Sequence, residues 1–502
     1  MGERGQSGSA RERNLGYVLA DAVMLGGDRT ALVDAERRLS YAELDRLADG
    51  VAHGLADRGV APGDAVALLW PNEAGYVVAL LGVLRAGAVA VPLNPKLGDE
   101  TIEYVLEDSG AVGLLAAPGE LERGGALVPE GRGWVLGPDS FDPASSPFEP
   151  PALEPGAICS LAYTSGSTGL PKGVPLTHSG QIWNVDSVRS ALLFDRSDVA
   201  LVVTPMSHAN AGVTLLVMLS AGGTTVVLPR FDPEEALLAI AEYRCTMIGG
   251  VPTIYHALLE ARQGLSDLDL SSLRIGTVGS APVPPEMPRA FREAFGAPLL
   301  EGYGLTEGGP YVLLTPRWGI AKPGSAGLPI PGCEVKAVGA DGEPVAPGEV
   351  GHLWVRNPGV TPGYWHRDDL SAERLRDGWL ATADLARIDE DGYVTISGRA
   401  DDMLNVAGEN VYPKEVEQIL LDHPEVAQVF VLGIPHESKG EVPAALVVPR
   451  EGAEPAAEEL KQHFIAHGPA YAHPRRIVFA NEMPVQPTGK PDRVLIRAML
   501  EE

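Results

Sequence analysis

Short apolar runs of strand length alternate with runs of helical length through the first four hundred of the 502 residues. Asp64–Trp70, Ala88–Pro92, Leu201–Thr204, Thr224–Leu228, Thr246–Gly249 and Leu273–Val278 suit buried strands. Glu73–Arg85, Thr101–Glu107, Glu234–Tyr243 and Pro285–Phe295 have helical length and lie between them. Strand and helix in strict alternation make βαβ units, so the fold expected is α/β with mostly parallel sheets. The Pro-rich stretch Ser140–Gly156 reads as a surface connection. Ala211–Leu228 carries no charge. Its Gly222-Gly223 pair and several hydroxyls make it a buried helix and a strand, not a membrane span.

The pattern changes after about residue 398. Pro413 is placed to open a helix, with Val416, Ile419 and Leu420 as its apolar face. Strands near Val426–Ile434 and Val442–Val448 and a helix at Ala456–His467 follow. This divides the chain into a domain of residues 1–398, a junction at 399–402 and a smaller α+β domain of residues 403–502.

The net charge is −28. So acidic a surface repels nucleic acid backbones and anionic lipid, so the expected partners are small molecules held in a local basic pocket. Cys159, Cys245 and Cys333 form no C-x-x-C pair, which removes metal and redox readings and fits a reducing cytoplasm. The N-terminus has no apolar stretch of a secretory signal, and Gln6 stands where myristoylation wants Ser or Thr.

Four segments carry chemistry. The first is Tyr163-Thr164-Ser165-Gly166-Ser167-Thr168-Gly169-Leu170-Pro171-Lys172-Gly173. Its glycines let backbone approach an anion, its hydroxyls can donate to phosphate oxygens, and Lys172 adds a positive charge. It lacks the Gly-Lys-Ser/Thr spacing of a Walker loop, and a Ser/Thr/Gly cluster alone is as readily a plain turn. The second is Glu301-Gly302-Tyr303-Gly304-Leu305-Thr306-Glu307. There Tyr303 can stack on a base, Thr306 can bond a phosphate and Glu307 is a hard oxygen ligand for Mg²⁺. Alone, it reads as a strand end with a capping Thr. The third is Thr382-Ala383-Asp384 with Ser397-Gly398-Arg399-Ala400-Asp401-Asp402. Asp384 can accept ribose hydroxyls and Arg399 can bond ribose or phosphate, although such clusters are commonly surface ion pairs. The fourth is Pro487-Thr488-Gly489-Lys490-Pro491-Asp492-Arg493, whose lysine by itself would be an ordinary exposed one.

Together, in this order, the four segments resemble the adenylate-forming superfamily of acyl-CoA synthetases, nonribosomal peptide adenylation domains and firefly luciferase. The resemblance runs from about Asn14 to Arg493 and includes Leu39-Ser40-Tyr41-Ala42-Glu43-Leu44 and Gly87–Pro95. It implies a large N-terminal domain of stacked, mostly parallel sheets and a small mobile C-terminal one. It also implies an AMP-forming acid–thiol ligase that uses ATP, Mg²⁺ and coenzyme A. By that likeness Thr164, Ser165, Gly166, Ser167, Thr168, Gly169 and Lys172 hold the ATP phosphates. Ser280, Ala281, Pro282, Glu301, Gly302 and Tyr303 border the adenine, and Asp384 and Arg399 hold the ribose. Thr306 and Glu307 act beside the phosphates, with Glu307 on the metal. Lys490 bridges the carboxylate and the α-phosphate, Asp401 is the hinge and Gly408 lines the pantetheine tunnel.

His208, in Pro205-Met206-Ser207-His208-Ala209-Asn210, stands where ligases of acyl and aryl acids in that family often carry a histidine; a lone histidine is otherwise more often structural. Amino-acid-activating relatives place an Asp in a nearby motif, and none is seen here, so an α-amino acid is not the expected substrate. Ala209, Ala211, Gly212, Gly308 and Gly309 suggest a roomy pocket for a bulky apolar acid. Three positions depart from the family: Ala383 for its Gly, Asn405 for a Lys and Ala472 for a Lys. Ala383 is expected to crowd the ribose, and the other two to remove charge that helps bind CoA. Two alternatives stay open: a ligase that loads a carrier protein's phosphopantetheine or performs one half-reaction, and a luciferase-like oxygenase or nucleotide-binding protein without turnover. Pyrophosphate exchange separates the last from the ligases.

Overall fold

The run Asp64–Trp70 forms the strand Ala65–Leu69, buried at every residue, and its neighbours in sequence fold as the alternation predicts. The structure, a computed structural model, describes residues 10–128, 133–164, 170–281, 283–406, 409–436, 440–485 and 491–501. Helix α1 (Tyr41–Asp57) opens on a capping box: the Ser40 side chain accepts from the Glu43 N–H, and the Glu43 carboxylate accepts from the Ser40 N–H at 2.8 Å. Helix α2 (Ala74–Arg85) is apolar on nearly all sides because it is enclosed. Its one buried charge, Arg85, is matched by Asp45 and Asp49, each at 2.6 Å.

Two sheets stack in the N-terminal part. The first has six strands in the order Trp134–Leu136, Gly113–Ala116, Ala65–Leu69, Val89–Leu93, β1 (Ile158–Thr164) and β2 (Lys172–Thr177). All pairings are parallel except β1 with β2. The second has nine strands. Its parallel centre contains β3 (Val199–Val202), Thr224–Val227, β4 (Met247–Gly250), β5 (Ile275–Val278) and β6 (Leu299–Tyr303). The uncharged stretch becomes α3 (Ala209–Ala221) and the strand Thr224–Val227. Among the described residues no helix is long and apolar enough to cross a membrane. The helix expected from Pro285 begins at Met287, with Pro288 in its first turn.

A third, antiparallel sheet of five strands goes beyond the alternation pattern. It contains Glu334–Val338, Val350–Arg356, Leu375–Arg376, β7 (Trp379–Ile388) and β8 (Val394–Arg399). Buried residues recur at every second place along Val350–Arg356, as in a sheet with one covered face. Its strands sit among Gly, Asp and Pro turns, which hid them in the linear pattern.

The chain then passes through the one-turn 3₁₀ helix Ala400–Asp402. Beyond it, five strands (Leu404–Val406, Glu409–Val411, Val426–His436, Gly440–Pro449 and Arg476–Phe479) form a fourth sheet. It packs with α4 (Pro413–Leu421), Ala457–His467 and Arg493–Glu501. The hydrophobic clusters of this smaller α+β part contain no residue before Leu404. Ala472 is one of their buried members, so its methyl is packing; a lysine there would have to lay its stem through this core.

Candidate active site

Parallel strands end together, so residues just past their carboxyl ends gather along one sheet edge. Strand β3 leads to His208, β5 to Ser280 and Ala281, and β6 ends in Glu301-Gly302-Tyr303. The register Val278↔Glu301 sets the Gly279-Ser280 turn beside Gly302-Tyr303. The approach is close, since a Cβ on Gly279 would stand 2.5 Å from the Gly302 carbonyl. Ser280 adopts φ +66°, a left-handed conformation that few side chains accept. Pro282 lies outside the described residues.

Asp384 and Arg399 are paired residues of neighbouring antiparallel strands β7 and β8, which explains how two separated motifs meet. Arg399 Nη1 stands 3.6 Å from Asp384 Oδ1, and Arg399 Nη2 stands 3.2 Å from Asp401 Oδ2. Tyr303 reaches across from the parallel sheet and donates its hydroxyl to Asp384 Oδ2. The Asp384 N–H is held by Thr382 Oγ1 at 3.1 Å, and the Thr382 hydroxyl donates to the Leu353 carbonyl. Burial raises the Asp384 carboxyl above its ordinary value, against the opposing pull of Tyr303, Arg399 and Lys414. Glu301 is pushed up to about 7 by burial, with the Lys414 ammonium opposing. That lysine belongs to α4, so the smaller part of the chain contributes a charge here.

Thr306, Glu307 and Gly308 form a one-turn 3₁₀ helix after β6. Glu307 Oε1 accepts from the Tyr364 hydroxyl at 3.2 Å, and its carbonyl accepts from the Thr361 N–H at 2.8 Å. Thr164 and Lys172 are paired across β1 and β2, which brings the two ends of the Ser/Thr/Gly segment together. Ser165, Gly166, Ser167, Thr168 and Gly169 lie outside the described residues, as do Gly408 and Lys490. Asp401 is central in the 3₁₀ helix between β8 and Leu404–Val406.

His208 is the residue at the N-terminal end of α3; its N–H donates to the Pro205 carbonyl at 3.0 Å. Two residues on, Asn210 Oδ1 accepts from the Tyr311 hydroxyl at 2.7 Å, which ties this helix start to the segment after Glu307. Gly308 and Gly309 lie where the backbone has close neighbours. A Cβ on Gly308 would meet Leu305 at 2.6 Å, and Gly309, at φ +83°, packs against Gly359. Ala211 is buried in the core.

With this geometry in place, the sequence matches the family model described as AMP-binding enzyme over residues 19–365. The chain belongs to the AMP-binding enzyme family. Residues 415–490 of this AMP-binding enzyme match the family's C-terminal domain. It is 40% identical over 484 residues to a feruloyl-CoA synthase of Amycolatopsis, covering 96% of this chain and 98% of that one. A long-chain-fatty-acid–CoA ligase of Yersinia pestis is 32% identical over 538 residues, covering 98% and 95%. Among solved structures, an anthranilate CoA ligase in complex with anthranoyl-AMP superposes with TM-score 0.90 at 30% identity, over 97% of both chains. ATP-bound MatB from Rhodopseudomonas palustris gives 0.88 at 29%, over 97% of this chain and 98% of that one.

Three features of this AMP-binding enzyme escaped the sequence reading: Tyr364, Lys414 and the Asn210–Tyr311 bond. Tyr364 lies in Gly363-Tyr364-Trp365, which has no spacing that separates it from packing aromatics. Lys414 follows the helix-opening Pro413 and reads as a solvated lysine. Only the docking of α4 against β8 gives it Glu301 and Asp384 as acidic neighbours: a Cβ on Gly398, one residue past Ser397, would stand 3.9 Å from the Lys414 Cβ.

Proposed function

We propose that this chain is an AMP-forming acid–CoA ligase. A carboxylate oxygen of the acid attacks the α-phosphorus of ATP, forming acyl-AMP and releasing pyrophosphate. The thiol sulfur of CoA then bonds to the acyl carbon, its proton goes to solvent, and AMP leaves. The observation that carries this reading is the convergence of Tyr303, Asp384, Arg399 and Glu307 along one edge, in a member of the AMP-binding enzyme family.

Both reacting partners of the first step are anions, so the protein has to supply positive charge and donors where negative charge accumulates. Asp384 accepts from the ribose hydroxyls, with Tyr303 and Arg399 fixing its two oxygens. Ser280, Ala281, Pro282, Glu301 and Gly302 border the purine. Thr164 to Gly169 and Lys172, with Thr306, hold the phosphates. Glu307 fits Mg²⁺. It is a half-buried hard oxygen donor, and among the described residues its side chain bonds only to Tyr364, through one oxygen. Mg²⁺ in nucleotide sites is held by one or two carboxylates together with substrate phosphates. When bound it neutralises charge on the polyphosphate.

Lys490 approaches the carboxylate and the α-phosphate during adenylation only, while Gly408 lines the thiol's path in the second step. That division needs residues 403–502 to turn against residues 1–398 about the junction 399–402, with Asp401 as hinge. His208 borders the acyl group. The acid is bulky and apolar or aromatic and is not an α-amino acid, a reading supported by the feruloyl, anthranilate and long-chain fatty acyl relatives. The compartment is a reducing cytoplasm, in keeping with three free cysteines of which Cys159 and Cys245 are buried.

A panel of carboxylic acids tests the reaction by ATP–pyrophosphate exchange and by mass spectrometry of acyl-AMP and acyl-CoA. No exchange with any acid overturns the ligase reading. Thioester on an added carrier protein and none on CoA overturns the choice of thiol. Lys490→Ala should lower acyl-AMP formation by about a hundredfold or more, the scale on which loss of one transition-state donor is felt, and should spare thioester formation from preformed acyl-AMP. Equal loss of both steps removes Lys490 from that role.

A further inference from the structure

Residues 357–366 connect the third sheet to the helix Asp368–Arg374. They do not run free over the surface but bind to three separate pieces of the site. Asn357 Nδ2 donates to the Gly308 carbonyl at 2.9 Å. The Thr361 N–H donates to the Glu307 carbonyl at 2.8 Å, and its hydroxyl donates to the Pro175 carbonyl at 2.8 Å. The Trp365 N–H donates to the Gly173 carbonyl at 2.9 Å. The Trp365 indole N–H donates to the carbonyl of Asp108 at 3.0 Å, and the same residue's carboxylate accepts from the Tyr163 hydroxyl at 2.6 Å. Contact is close throughout: a Cβ on Gly173 would stand 2.9 Å from Trp365, and one on Gly309 would stand 2.8 Å from Gly359. One strap therefore holds the described residues just outside Thr164 and Lys172, Gly173 directly and Tyr163 through Asp108, and also holds the backbone of the Glu307 turn.

Tyr364 is the strap residue that reaches the Glu307 side chain. Its hydroxyl donates to Oε1 at 3.2 Å. A carboxylate oxygen so engaged fixes the rotation of the whole group, and the described residues leave Oε2 without a side-chain partner.

We propose that Tyr364 is a positioning residue for the metal of MgATP: its hydroxyl orients the Glu307 carboxylate, and the strap keeps that carboxylate in register with the ends of β1 and β2 at Thr164 and Lys172. This rests on Glu307 as the metal ligand. Partners that orient a metal ligand typically change metal affinity by about tenfold or more when removed. Tyr364→Phe keeps the ring and its packing and removes only the donor.

Two readouts decide it. The first is Mn²⁺ binding in the presence of a non-hydrolysable ATP analogue, measured by the electron paramagnetic resonance of free Mn²⁺. The second is the Mg²⁺ concentration for half-maximal pyrophosphate exchange. Tyr364→Phe should weaken Mn²⁺ binding and raise the Mg²⁺ requirement, each by about tenfold. Thioester formation from preformed acyl-AMP should be unchanged. In a Glu307→Gln background the tyrosine substitution should add little, because the two act as one unit. If Glu307→Gln shifts the metal titrations and Tyr364→Phe does not, the positioning inference fails and the Glu307 assignment stands. If neither shifts them, the Glu307 assignment fails and takes the inference with it. If Tyr364→Phe lowers the melting temperature and both half-reactions together, the tyrosine is only structural and the inference is overturned.

Discussion

Ala383 lies between Thr382 and Asp384 with φ +67° and is buried. An L-residue in the left-handed region costs about 1–2 kcal/mol, and glycine escapes that cost. The expected crowding of the ribose by a methyl is thus joined by a second burden, in the backbone that aims Asp384. Ala383→Gly gives back part of the gain by widening the unfolded ensemble, at about 0.4–1 kcal/mol. The net expectation is a melting temperature equal to or up to about 3 °C above the parent. Ala386→Gly on the same strand is the control. Ala386 is fully buried and has no positive φ, so its substitution should lower the melting temperature. Calorimetry on the two variants checks this; equal losses in both would mean that Ala383 is unstrained.

At the scale of elements, the docking of α4 against β8 brings Lys414 near Glu301 of β6, with Asp384 and Glu417 also near the ammonium. Burial draws Lys414 below its ordinary value and pushes Glu301 up to about 7. The sign follows from linkage. Between the ordinary carboxyl value near 4.5 and the folded value near 7, the unfolded chain has released its proton while the folded chain keeps it. Stability from this group therefore falls as pH rises through that window and is level above it. Glu301→Gln removes the dependence. Its melting temperature should gain on the parent between pH 4.5 and pH 7, by a few degrees, and hold that lead at pH 8. A difference between the two proteins that does not change with pH would place Glu301 in water rather than in the contact.

For the whole molecule, the two parts are joined covalently at Ala400–Asp402 and touch through ion pairs such as Arg387–Glu415 at 2.6 Å and Arg450–Glu286 at 2.9 Å. All four side chains are a third or more exposed, and such pairs contribute about 0–1 kcal/mol each. Breaking these exposed pairs costs little, so the contact of Lys414 with Glu301 and Asp384 is what most opposes rotation of one part against the other. Proline fixes φ near −65°, which suits a 3₁₀ turn and resists others. Asp401→Pro should leave one half-reaction largely intact and depress the other by at least about tenfold, with adenylation the survivor because the ATP-bound state forms first. Pyrophosphate exchange and thioester formation, measured separately beside a melting curve, test this. Joint loss of both with the melting temperature would remove the hinge.

Local chemistry was legible without coordinates. Buried strands such as Ala65–Leu69 and helices such as Ala74–Arg85 follow from runs of apolar residues and their length, because backbone hydrogen bonding within an element depends on near neighbours. The order of the four chemical segments was equally plain, and it carried the family. The antiparallel sheet holding Asp384 and Arg399 was not, since its strands pair across distant segments and are broken up by turn residues. Nor were the contacts that make a site of separate motifs. Tyr303 meets Asp384 across 81 positions of sequence, and Tyr364 meets Glu307 across 57. Those meetings depend on the register of β5 with β6, of β7 with β8, and on the packing of one sheet against another. No local pattern encodes these, so residue types and their order came from the sequence, while the partner of each side chain was decided by the tertiary structure alone.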